Sequence, residues 1–128
     1  MILLDTNVLI DVDRCVFDPD EVYGASILSR AELEFGIRAA GSPEAIAARV
    51  QELNRLDERF DWLPFDLASS RSYGIVAAGA TATGARIRGK DALIAAQAHR
   101  HGAAVMTANL DDFRPFERLV RILTPSYR

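Results

Sequence analysis

Met1-Ile2-Leu3-Leu4-Asp5-Thr6-Asn7-Val8-Leu9-Ile10-Asp11 is the stretch whose reading decides the fold. Ile2, Leu3 and Leu4 form an apolar run without alternation. That pattern suits a strand buried on both faces, as at the centre of a parallel sheet. The run stops at Asp5, and the apolar residues after Asn7 suit a short helix over 7–12. A carboxylate therefore stands where a central strand ends and a helix begins. In open α/β sheets, ligands bind at the carboxyl ends of the strands. Asp5 is thus the expected hub of a site.

Further strands are predicted over 22–27, 62–65, 103–106 and 119–123, with helical patterns between them. Ser26 or Ser29 can start one helix. Ser42 and Pro43 start another, which runs to about Arg59. Asp66 ends a strand, and it either joins the site or caps the helix that runs to about Ala82. Gly102 ends the last long helix. Alternating strands and helices predict an α/β/α sandwich with a central, mostly parallel five-stranded sheet. The 128 residues suit a single domain with a real core.

The segment 28–39 separates two glutamates. At helical spacing Arg30, Glu34 and Arg38 share one charged stripe, with Leu28, Ala31, Phe35 and Ala39 opposite as the expected inner face. Glu32 falls among the apolar positions. Inward acids are rare unless paired or bound to a metal, and the other reading is a helix-edge glutamate that reaches water.

The formal net charge is −3, which argues against nucleic-acid binding through overall positive charge but leaves room for a local basic rim. Cys15 is the only cysteine, so no internal disulfide forms and a reducing, cytoplasmic setting is expected. The N-terminal apolar stretch lacks a basic flank and is broken by Asp5, unlike a signal peptide. No apolar run approaches the ~18 residues of a membrane span.

Four acids stand out: Asp5, Glu32, Asp91 at the start of the helix Asp91-Ala92-Leu93-Ile94-Ala95-Ala96-Gln97-Ala98, and Asp112 after a later strand. Asp91 can also be read as a first-turn acid stabilised by the helix dipole. If the fold brings the four together, each close pair costs about 3–4 kcal/mol at an effective dielectric near 20. Such a cluster must take up protons or bind a cation. Oxygen ligands without histidine or cysteine suit Mg2+ or Mn2+. His99 and His101, two apart on a helix, point to nearly opposite sides and read as surface residues. Arg86, Arg88 and, at the edge, Lys90 precede Asp91. Arg86 and Arg88 can hold phosphates, or they belong to a solvated basic loop.

Leu4-Asp5-Thr6-Asn7-Val8-Leu9-Ile10, Ala31-Glu32-Leu33 with Gly36, the Asp91–Ala98 segment and Thr107-Ala108-Asn109-Leu110-Asp111-Asp112-Phe113 resemble, in order, the motifs of PIN-domain ribonucleases. The likeness is greatest to the VapC-type toxins of bacterial toxin–antitoxin pairs. The resemblance implies a PIN-like nuclease domain over 1–128 and Mg2+- or Mn2+-dependent endonucleolytic cleavage of RNA. It also implies a homodimer and inhibition by a small cognate antitoxin. Carried over, Asp5, Glu32, Asp91 and Asp112 are the acidic site. Asp5, Asp91 and Asp112 would hold metal, and Glu32 would orient or activate a metal-bound water. Thr6, Asn7, Thr107 and Asn109 match supporting polar positions, expected to hydrogen-bond carboxylates or water. Ala108 departs from the polar or basic residue of many relatives. Asp111 stands beside Asp112 as a possible substitute for it or ligand to a second ion.

Other readings fit parts of the chain. A phosphohydrolase with Asp5 as nucleophile resembles haloacid-dehalogenase-type enzymes, but Asn7 stands where they carry a second aspartate. A receiver-like module would need a late lysine at a strand end. A catalytically silent PIN-like interaction domain would not need all four acids.

Overall fold

The structure is a computed structural model and describes residues 1–128. Its five strands are β1 (Ile2–Leu4), β2 (Tyr23–Ser26), β3 (Trp62–Leu63), β4 (Ala104–Met106) and β5 (Ile122–Leu123). They form one sheet in the order β3-β2-β1-β4-β5, and every pairing is parallel. β1 is central, as its unbroken apolar run requires. Leu3 packs on one face with Val76, Ala80, Ile94 and Phe113. Ile2 and Leu4 pack on the other with Val8, Leu9, Leu56 and Met106.

The first face is covered by α4 (Leu67–Ala82) and α5 (Gly89–His101). Ala92, Ala95 and Ala98 on α5 are fully buried, and their small side chains let the helix lie close to the sheet. The second face carries α1 (Thr6–Ile10) and α3 (Pro43–Arg59), with α2 (Ile27–Arg38) beside α3. After β4, the short helix α6 (Leu110–Phe113) leads to a 3-10 turn at Arg114–Phe116. No helix is long and apolar enough to cross a membrane.

The sheet order positions the site. From β1 the chain steps outward to β2 and β3, then returns through α4 and α5 to β4 on the other side of β1. The carboxyl ends of β1 and β4 flank the crevice that such a reversal opens. The Asp5 N–H donates to the Met106 carbonyl at 2.9 Å, so pairing continues to its mouth.

Several local expectations hold. Ser26 caps α2, Ser42 caps α3 with Pro43 in the first turn, and Asp66 caps α4. Asp66 also pairs with Arg100 at 3.6 Å, which assigns it to the scaffold. Gly102 ends α5 at φ 61, a conformation that favours glycine.

Other expectations are corrected. α1 starts at Thr6 because the Asp5 side chain caps it, and Val12–Arg14 forms a separate 3-10 turn. β3 and β5 are shorter than predicted, each being an edge strand paired on one side. On α2, Leu28 packs against the core as expected and Ser29, Leu33 and Ile37 complete the inner face, while Ala31 and Ala39 are exposed and Phe35 is 74% exposed. The cause is Arg30, whose Nε donates to Asp57 of α3 at 2.8 Å. Asp57 also accepts from Trp62 Nε1 at 2.8 Å, so a charged clamp joins α2 to α3. His99 and His101 are half-buried rather than surface residues; His99 Nδ1 lies 2.8 Å from Ser72 Oγ in the α4–α5 seam.

Two substitutions separate core from surface. Leu3→Ala should lower stability by about 2–5 kcal/mol in urea denaturation, as a buried Leu truncation does. Phe35→Ser should change it by less than about 0.5 kcal/mol. A large loss from Phe35→Ser would return Phe35 to the core.

Candidate active site

Asp5 lies between β1 and α1 and is 5% exposed. Its Oδ1 accepts from the Thr6 backbone N–H at 2.8 Å, and its Oδ2 accepts from Thr107 Oγ1 at 2.9 Å. Thr107 directly follows β4 and is fully buried. The two strand ends are thus tied through one carboxylate.

Asn7 touches no carboxylate. Its Oδ1 accepts from the Ala108 N–H at 3.1 Å, and its Nδ2 reaches Thr107 Oγ1 at 3.4 Å. It fastens the loop after β4 to α1, and Ala108 contributes through its backbone. Asn109 Nδ2 donates to Asp112 Oδ2 at 2.6 Å. Thr6, Thr107 and Asn109 thus hydrogen-bond acids directly, while Asn7 reaches them only through the loop after β4.

Glu32 is half-buried on α2, aimed at α1 and the start of α5. Its Oε1 accepts from Thr6 Oγ1 at 2.7 Å, and its Oε2 accepts from Lys90 Nζ at 2.7 Å. Thr6 therefore serves two acids, Asp5 through its N–H and Glu32 through its hydroxyl. Lys90, expected with the basic run at the rim of the site, pairs with Glu32. The residue before Asp91 in a helix start can reach a neighbouring helix, but nothing in the spacing names Glu32 as its partner.

Asp91 lies in the first turn of α5 and is 4% exposed. It does not cap the helix, which starts at Gly89 without a side-chain cap. No donor hydrogen-bonds its carboxylate. Burial, then the charge of Asp5 and that of Asp112, push its pKa up to about 6, against the pull of Lys90 and Arg88. Burial also raises Asp5, opposed by its hydrogen bonds from Thr107 and Thr6 and by Lys90. The two buried acids feel each other.

Asp112 is half-buried, with Arg88 Nη1 3.7 Å from its Oδ2. Asp111 is exposed and pairs with Arg114 at 3.0 Å, outside this group of contacts. Of the two arginines, Arg88 meets an acid, while Arg86 is exposed and forms no ion pair. Cys15 is buried away from these residues, and burial raises its thiol pKa.

No three carboxylate, histidine or cysteine side chains stand close enough to hold an ion unaided. The donor set nonetheless fits a hard divalent cation. Mg2+ is held through one or two carboxylates, with waters and phosphate completing its shell. Asp91 supplies a buried carboxylate with no protein donor, within range of the charge of Asp5.

Beside these acids, a cleft of about 390 Å3 runs among α1, α2 and α3. Leu9, Leu33, Leu53 and Leu56 line it with Arg49 and Arg55, and Thr6 and Glu32 stand in its wall.

The family model described as the PIN domain matches residues 2–119. Ribonuclease VapC4 of Mycobacterium tuberculosis (strain ATCC 25618 / H37Rv) is 34% identical over 113 residues, covering 85% of this chain and 86% of that protein. VapC ribonuclease Y4jK of Sinorhizobium fredii (strain NBRC 101917 / NGR234) is 39% identical over 132 residues, covering 91% of each. Among solved structures, VapBC-5 from Mycobacterium tuberculosis, a member of the VapBC family of toxin–antitoxin systems, superposes with a TM-score of 0.77 at 25% identity. That match covers 95% of this chain and 94% of the other.

Asp91 carries a testable electrostatic load. The folded chain keeps a proton on Asp91 up to pH about 6, whereas the unfolded chain loses it near 3.8. Without divalent metal, its contribution to stability therefore falls as pH rises through that window, by about 3 kcal/mol in all. In chelator at pH 7.5, Asp91→Asn should melt higher than the parent, and the difference should vanish near pH 3.5. A lower melting temperature at pH 7.5 would contradict the assignment.

Proposed function

The chain belongs to the PIN-domain family, and from that premise we propose that it is a Mg2+- or Mn2+-dependent endoribonuclease acting as the toxin of a toxin–antitoxin pair. The observation that carries the reading is that Asp91 and Asp5 are both buried and within range of each other's charge, with neither carboxylate in direct contact with a protein cation. Ionised acids so placed are stabilised by a bound cation.

Asp5, Asp91 and Asp112 are the residues that would hold the ion. When bound, it would lower the pKa of water and stabilise charge on the leaving oxygen. Thr107 and the Thr6 N–H keep Asp5 in one orientation, and Asn7 holds the loop that carries Thr107. Asn109 does the same for Asp112. Glu32 orients or activates the attacking water by accepting its hydrogen bond or proton. The water oxygen forms the new bond to phosphorus as the bond to the leaving ribose oxygen breaks. Arg86, free of ion pairs, and Arg88, 76% exposed at its side chain, hold flanking phosphates.

The partner reading draws on the similarity to proteins of toxin–antitoxin systems. The apolar cleft with its arginines suits a small antitoxin bearing apolar and acidic residues, seated next to Glu32. The exposed Ile27 and Phe35 on α2 offer an apolar surface to a second copy of the chain.

One cleavage assay tests the enzyme and its partner. The purified chain should cut RNA with Mg2+, and cutting should stop with chelator or Asp5→Asn. The small protein encoded beside it should suppress cleavage, and Ile10→Asp at the exposed lip of the cleft should relieve that suppression. Cleavage that survives chelation or Asp5→Asn would overturn the metal mechanism; suppression unaffected by Ile10→Asp would move the partner elsewhere. A monomer by sedimentation at about 10 μM would count against the dimer.

A further inference from the structure

The acids at the crevice differ in how their charge is met. Glu32 is paired with Lys90 at 2.7 Å and Asp112 with Arg88 at 3.7 Å. Asp5 receives two hydrogen bonds from neutral donors, and Asp91 receives none. The two acids without a cation in contact are also the two that are nearly inaccessible.

Lys90 is the better placed of the two cations. It is neighbour to Asp91 in the first turn of α5, about 100° round the helix, so its side chain leaves in another direction. That direction is toward α2, where its ammonium meets the Glu32 oxygen that Thr6 leaves open. Glu32 is then gripped on both oxygens by groups from two other helices. Thr6 extends the chain of contacts to Asp5. The Lys90 side chain stays half exposed, and the charges of Asp91 and Asp5 reach its ammonium as well as that of Glu32.

We infer that Lys90 is a positioning residue: its ammonium locks Glu32 against Thr6 and supplies the positive charge that a second divalent ion would otherwise bring. This rests on the metal-dependent nuclease reading above. A single divalent ion carries two positive charges, which match the two acids without cations, Asp5 and Asp91. With Glu32 already neutralised, the cluster has little electrostatic call for another ion on that side. Lys90 thereby fixes both the aim of the water-orienting acid and the number of ions bound. Phosphate holding falls instead to Arg86, which forms no ion pair, and Arg88, whose side chain is 76% exposed.

The test uses the full chain and Mn2+ as the probe. Calorimetric titration without RNA should give one ion per chain for the parent. Lys90→Met removes the charge with little change of shape, and it should tighten Mn2+ about tenfold or admit a second ion. Lys90→Arg should keep the parent's stoichiometry and affinity. In RNA cleavage, Lys90→Met should lower kcat at least about tenfold with KM little changed, and Lys90→Arg should restore much of it. Equal Mn2+ binding by the parent and Lys90→Met would overturn the inference and leave the nuclease reading standing. So would a raised KM with kcat unchanged, which would make Lys90 a phosphate contact. A parent that binds no Mn2+ would overturn both. Lys90→Gln serves as a second neutral variant if Lys90→Met misfolds.

Discussion

Two buried carboxylates within reach of each other's charge set the terms for this molecule. Asp5 and Asp91 are 5% and 4% exposed, and burial raises the pKa of both. A domain of this size has only about 5–15 kcal/mol of net stability. The shift at Asp91 alone corresponds to about 3 kcal/mol. A cost of that size is not a by-product of packing, because an asparagine would fit the same space without the charge. Asp5 offsets part of its burden with hydrogen bonds from Thr6 and Thr107. Asp91 has no hydrogen-bond donor, and the charges of Lys90 and Arg88 that favour its ionised form are outweighed by burial and the neighbouring acids.

The rest of the fold serves to make that placement possible. β1 must be buried on both faces for Asp5 to emerge at the sheet's centre, and Ile2, Leu3 and Leu4 supply apolar surface in both directions. The chain must also return to the far side of β1, so that the end of β4 stands beside the end of β1. Thr107 then reaches Asp5 directly. The alanines of α5 allow its first turn, with Asp91, to sit low over the sheet. The arginine clamp between α2 and α3 fixes the rotation of α2 that turns Glu32 toward Thr6.

Much of this was legible in the residues, and the failures have a common cause. The unbroken run at Ile2–Leu4 foretold a central strand because the burial of a strand shows directly in its pattern. Ser26, Ser42, Asp66 and Gly102 were readable because capping is a local interaction. The inner face of α2 was misread because hydrophobic periodicity assumes that apolar residues define the buried side. Here Arg30 takes the interhelical position and Phe35 is turned outward. Half-buried His99 was misread for a similar reason, since its partner Ser72 lies on another helix. The four acids could be singled out one by one, but their pairing with Lys90 and Arg88 depends on contacts 58 residues apart in one case, which spacing does not encode. Asp112 stays with Asn109 and Arg88, whereas Asp111 pairs with Arg114 in solvent.

The central claim is that Asp5 and Asp91 form the seat of a divalent cation. Anomalous diffraction from crystals grown with Mn2+ tests it most directly. The account predicts a strong anomalous peak within ligating distance, about 2.0–2.4 Å, of a carboxylate oxygen of Asp5 or Asp91, at the carboxyl end of β1. No peak in the crevice at saturating Mn2+, or one beside other residues with Asp5 and Asp91 left unliganded, would contradict it.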